Sequence, residues 1–189
     1  MSELTESTPS QRHRSVAAMF ATLIDGTSDW SVPTPVAEWQ AGDIVDHLLT
    51  WPREMLGAHG VLLPEAGDDR AASFRAQTAA IQDMLDNPEV AGEILCLGQM
   101  GDQPLAAVID GFYSGDVFMH SWDLAKATGQ EVELDHDSAA AMAAGLAAMG
   151  PGLQASGQFG PPVPVAEDAG PVERLMGVIG RDPQWQPPA

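Results

Sequence analysis

The sequence predicts an all-α protein, a four-helix bundle with a short helical extension at its C-terminal end. Three observations carry this. The 19 Gly and 15 Pro of the 189 residues gather before residue 41, around 98–104 and from 150 onward, leaving Ala- and Leu-rich stretches between them. Those stretches carry apolar residues at i, i+3, i+4 and i+7, the spacing of one buried helix face. Capping and stop signals bound them. A chain of this length suits one domain spanning 1–189, with a bundle core over about 9–129 and the extension over about 130–189.

Thr8-Pro9-Ser10-Gln11 opens the first helix, with an N-cap hydroxyl, proline at N1 and Gln at N3. Val16, Met19, Phe20 and Leu23 follow at helical spacing, and Asp25-Gly26 ends the run. The second helix is expected over about Asp43 to Gly60, on the stripe Ile44, Val45, Leu48, Leu49, Trp51, Met55 and Leu56. Pro52 lies inside it and predicts a kink or an early break. A third helix covers Asp69 to Leu85, with Phe74, Ile81 and Leu85 on one face and Asn87-Pro88 as its stop. Glu93 to Leu97 is too short for a helix between Gly92 and Gly98 and reads as a short strand or an extended connector.

The fourth helix is expected from Gln103 or Pro104 to Thr128, capped by Asp102 and stopped by Gly129. An Ala-rich helix over Ser138–Met149, a loop over Gly150–Gly170 and a last helix over Pro171–Ile179 complete the chain.

Charge excludes one class of partner. With 27 acidic against 8 basic side chains the formal charge is −19, and such a field repels phosphate backbones, so nucleic acid is not an expected partner. The single Cys96 excludes an internal disulfide and suits a reducing cytoplasm. The polar start MSELTESTPSQRHR has no apolar core of a signal peptide, and no apolar run approaches a membrane span.

The fourth helix contains an anomaly. Its apolar row runs Leu105, Ile109, Phe112, and the next position four residues on is Asp116; His120 comes four further, and Leu124 resumes the row. Side chains at i and i+4 share a face, so a carboxylate and an imidazole replace two core residues. On the second helix His47 flanks the Ile44–Trp51 stripe. A carboxylate on a buried face costs free energy unless paired or bound to metal, and helical bundles build metal sites from facing helices. His47, Asp116 and His120 are therefore the candidate ligands of one divalent ion. An Asp–His hydrogen bond and a half-exposed histidine account for the same spacing without a metal. Asp123 is placed to orient a ligand imidazole or, equally, to pair locally with Lys126.

The other histidines read differently. His13 is expected to face solvent from the first helical turn, His59 lies near a helix end, and His136 sits in an acidic surface turn. The tryptophans at 30, 39, 51, 122 and 185 read as packing residues.

The segments WQAGDIVDHLL (39–49), DVFMHSWDLAKATG (116–129) and FGPPVPVAEDAGPVERLMGVIGRDPQW (159–185) resemble the actinobacterial metal-binding proteins of the DinB-like superfamily, relatives of mycothiol-dependent maleylpyruvate isomerase. The resemblance implies a four-helix bundle holding one divalent metal through His47, Asp116 and His120. The isomerase relatives carry Glu where this chain has Asp116, one methylene shorter. Zinc is the expected ion, with nickel or ferrous iron as alternatives, and a low-molecular-weight thiol such as mycothiol is the implied cofactor. The implied activity is a metal-dependent thiol transferase or isomerase acting on a small-molecule substrate. A metal-dependent hydrolase or lyase using bound water, and a non-catalytic metal- or small-molecule-binding module, are the alternatives. The resemblance also allows a homodimer.

Overall fold

A computed structural model describes residues 2–98, 101–155 and 157–188, with the side chains of residues 3 and 154 left aside. After the short helix α1 (Glu3–Glu6), helix α2 (Pro9–Gly26) starts on the expected capping box. Thr8 Oγ1 accepts the Gln11 N–H, and Gln11 Oε1 accepts the Thr8 N–H at 2.9 Å. The buried face of α2 is His13, Val16, Ala17, Phe20, Leu23 and Ile24. His13 is fully buried, not solvent-facing. It sits three residues before Val16 and seven before Phe20, on the inward face, and Gln82 supplies a polar partner 2.9 Å from Nδ1.

Helix α3 (Ala41–Gly57) begins where Asp43 Oδ2 accepts the Gln40 N–H at 2.8 Å. It does not break at Pro52. Proline cannot donate to the carbonyl four residues earlier, that of Leu48, and the buried Gln77 side chain fills the gap, donating to Leu48 O at 2.7 Å. Helix α4 (Arg70–Asp86), capped by Asp69, buries Phe74, Gln77, Ile81 and Leu85. The single turn α5 (Pro88–Ala91) follows.

Strand β1 (Ile94–Cys96) pairs antiparallel with β2 (Asp102–Pro104), Leu95 opposite Gln103. Asp102 thus lies in a strand and is not the cap of the fourth helix. Pro104, with no N–H to lose, precedes α6 (Leu105–Val108) instead. A π segment, Ile109–Ser114, continues α6 and leads into α7 (Gly115–Thr128). Its i→i+5 bonding widens the turn, so the residue returning beneath Ile109 is Tyr113 rather than Phe112. Tyr113 is fully buried, whereas Phe112 is 42% exposed. The buried apolar row of the fourth helix therefore runs Leu105, Ile109, Tyr113 and not Phe112.

Packing of α2 against α4 and α7, and of α3 against α4 and α7, makes the four-helix core. Phe20, Leu48, Phe74, Ile81, Ile109, Tyr113 and Leu124 fill it. Helix α8 (His136–Ala148) packs against α10 (Pro171–Val178), and the short α9 (Pro151–Ala155) lies inside the segment expected as loop. The turn after α10 closes tightly on the segment around Gly160. Gly180 has φ +82°, and a Cβ there would lie 2.7 Å from Gly160. That turn aims Arg181 back into the bundle. Among the described residues no helix is long and apolar enough to cross a membrane.

Candidate metal centre

Helices α3 and α7 bring His47, Asp116 and His120 together. One donor atom from each lies within 4.8 Å of the others. His47 Nε2 is 2.9 Å from Asp116 Oδ2, and His120 Nε2 is 3.5 Å from Asp116 Oδ1. The π segment ends at Ser114, two residues before Asp116, so the register of α7 toward α3 is set just upstream of the carboxylate. The cluster is graded in exposure. His120 is buried, whereas the His47 side chain is 31% exposed, so the site opens to solvent on the α3 side.

The two oxygens of Asp116 have separate partners. Trp51, one turn beyond His47 on α3, donates its indole N–H to Oδ2 at 2.9 Å, while Oδ1 faces His120. The shorter Asp side chain is thereby held in one orientation. Trp39, in the loop before α3, lies against both imidazoles, its ring stacked 5.8 Å from His120 and tilted 5.1 Å from His47. Neither tryptophan is a packing residue alone.

Behind His120, its Nδ1 lies 2.9 Å from Asp123 Oδ2, one helical turn on. Asp123 is fully buried and pairs with Arg181, whose Nε is 3.1 Å from Oδ1. Lys126 does not join it but sits over the Trp122 ring at 5.4 Å. A buried carboxylate is tolerable when paired and hydrogen-bonded, and Arg181 from the C-terminal extension supplies that charge. A carboxylate behind a ligating histidine fixes its tautomer and raises its basicity.

The electrostatics follow from these contacts. Burial pushes the Asp116 carboxyl up, but His120, His47 and the Trp51 N–H outweigh it and hold its pKa below the ordinary carboxylate value. Burial pulls the His120 imidazole down, yet Asp116 and Asp123 prevail and raise its pKa above 6.5. His120 between two carboxylates therefore holds a proton to higher pH than an ordinary imidazole. Two imidazoles and a carboxylate opening on solvent form a donor set that could hold a divalent metal ion.

Residues that carry the site but were not singled out in the sequence are Trp39, Trp51 and Arg181. Trp51 is four residues from His47, hence on its face, and this spacing was the available signal. Arg181 pairs with a carboxylate 58 positions away, and no local pattern marks such a contact.

Two curated proteins of Mycobacterium tuberculosis are similar to this chain: the uncharacterized proteins Rv0738, of strain ATCC 25618 / H37Rv, and MT0763, of strain CDC 1551 / Oshkosh. Each is 29% identical to it over 180 residues, covering 92% of this chain and 97% of the relative. No family profile matches the chain, and no solved structure matches it.

Proposed function

We propose that this protein is a divalent-metal enzyme of the thiol-dependent transferase or isomerase type, acting on a small molecule in the cytoplasm. His47, Asp116 and His120 are its metal ligands, zinc its ion, and a low-molecular-weight thiol such as mycothiol its cofactor. One observation carries the metal reading: three donors from two helices converge within 4.8 Å on a solvent-open edge. The sequence resemblance to DinB-like metal proteins supports the thiol chemistry.

When bound, a divalent ion supplies Lewis acidity that deprotonates a thiol at neutral pH. The chain's residues prepare the place for it. Trp51 holds Asp116 Oδ2, so the carboxylate cannot rotate away. Asp123 accepts the proton of His120 Nδ1 and leaves Nε2 as the ligating nitrogen. The half-exposed His47 marks the side from which a thiol enters.

Cobalt-loaded protein titrated with 2-mercaptoethanol tests this. A sulfur-to-metal charge-transfer band that saturates, and that is lost in His120→Ala, is expected. Cobalt bound at one equivalent with no such band for any thiol would overturn the thiol reading and leave bound water as the reactive group.

A further inference from the structure

We propose that the protein binds a small, uncharged and largely apolar molecule bearing one hydroxyl, in a cavity on the far side of α7 from the metal centre. The proposal does not depend on the metal reading.

This cavity, of about 340 Å³, lies where α1, α2, the π segment, α7 and α8 meet. Its volume falls in the range of small-molecule sites. Phe118 lines it, two residues from both Asp116 and His120, and side chains two apart on an α-helix point to nearly opposite sides. Val16, Phe118 and Met142 give it an apolar wall. Of the described residues that line it, only Arg12 and Asp110 are charged, and these neutralise each other. Arg12 Nε and Nη2 donate to Asp110 Oδ1 and Oδ2 at 2.8 and 2.7 Å. A wall with no unpaired charge favours an uncharged ligand, because an ion entering it gives up water without gaining a counter-charge.

Ser114 supplies the polar contact. It lines the cavity, is 3% exposed, and its hydroxyl is buried with no partner in the protein. The π segment explains why. A helical hydroxyl ordinarily bonds the carbonyl four residues back, as Ser121 does with Val117 O at 2.7 Å. The carbonyl four residues before Ser114 is that of Asp110, and the wide turn gives it to the N–H of Gly115 instead. The other hydroxyls along the cavity, Thr5 and Ser138, meet each other at 3.5 Å. A buried hydroxyl left without a partner costs stability, so its presence in an otherwise apolar wall points to a ligand atom that completes it. Gly111 makes the room, since a Cβ there would meet no neighbouring element within 4 Å.

p-Cresol and toluene test this, titrated against the isotope-labelled protein as purified, at pH 7, where a phenol is neutral. The two share a ring and a methyl group and differ by the hydroxyl. Saturable amide shifts centred on Gly111, Ser114, Gly115 and Met142 are expected for both, with p-cresol bound more tightly. Ser114→Ala should not lower the melting temperature, because the hydroxyl has no partner to lose. It should cut the ratio of p-cresol to toluene affinity about fivefold. Gly111→Leu fills the cavity and should weaken both probes by about tenfold or more, with helicity unchanged by circular dichroism. Shifts centred elsewhere, no saturable shift, a less stable Ser114→Ala, an unchanged ratio in it, or retained binding in Gly111→Leu would each overturn the proposal.

Discussion

The Gln77 side chain donates to the Leu48 carbonyl at 2.7 Å, in the place the N–H of residue 52 would take were it not proline. The same nitrogen lies 3.1 Å from the Tyr113 hydroxyl, so one buried amide joins α4 to α3 and to the π segment behind the site. Replacing Gln77 by Leu leaves a buried carbonyl without a donor, which costs about 2 kcal/mol. In the Pro52→Ala background residue 52 regains its N–H, and Gln77→Leu should then cost about half as much. Chemical denaturation of the four proteins of this cycle gives the coupling; additive costs would deny the relationship.

Asp123 joins His120 to Arg181, and the two substitutions on it should separate. Asp123→Asn keeps the shape and removes the charge, so zinc affinity should fall by about 10- to 100-fold with helicity unchanged by circular dichroism. Arg181→Met instead strands a buried carboxylate and should lower stability by about 3 kcal/mol in the metal-free protein. Equal thermal melts for Arg181→Met and wild type would count against a structural role for the pair.

The metal-free site keeps a proton on His120 past pH 6.5, because Asp116 and Asp123 raise its pKa. Zinc has to displace that proton. Calorimetry in buffers of different ionisation enthalpy should therefore show protons released on zinc uptake near pH 6.5, with apparent affinity rising with pH by up to about tenfold per unit for each proton displaced. In the metal-free protein the same shift stabilises the fold fully below pH 6.5, and that contribution disappears as pH rises through the raised folded value. Zinc affinity independent of pH between 5.5 and 7.5 would contradict the assignment of His120 as a ligand.

The main helices and their order were legible in the sequence because each depends on local spacing, and so were the three clustered residues, each placed on a buried or flanking helix face. Thr8 to Gln11 is a self-contained cap, and Asp116 with His120 interrupts an apolar row within one helix. What escaped depends on partners far along the chain. Pro52 does not break α3, because Gln77, 25 residues on, satisfies Leu48. Tyr113 replaces Phe112 in the core because the π segment changes the period, which a fixed spacing of 3.6 cannot register. His13 is buried because Gln82 meets it from another helix.

His13 yields a pH dependence of opposite sign to that of His120. Burial lowers its pKa below 6.5, and the hydrogen bond to Gln82 only partly offsets this. Its contribution is complete above pH 6.5 and is lost as pH falls through the depressed folded value, where the buried ring has to take up a proton. Thermal melts of the wild type should therefore drop on acidification below pH 6.5 more steeply than those of His13→Leu. Parallel curves for the two would show that His13 does not titrate with unfolding.

Metal content of the purified protein tests the central claim most directly. Elemental analysis should find close to one equivalent of a divalent metal, zinc foremost, in the wild type, and loss of that equivalent in His47→Ala and in His120→Ala, both remaining helical. Full occupancy in both variants would contradict the assignment of His47, Asp116 and His120 as the metal site.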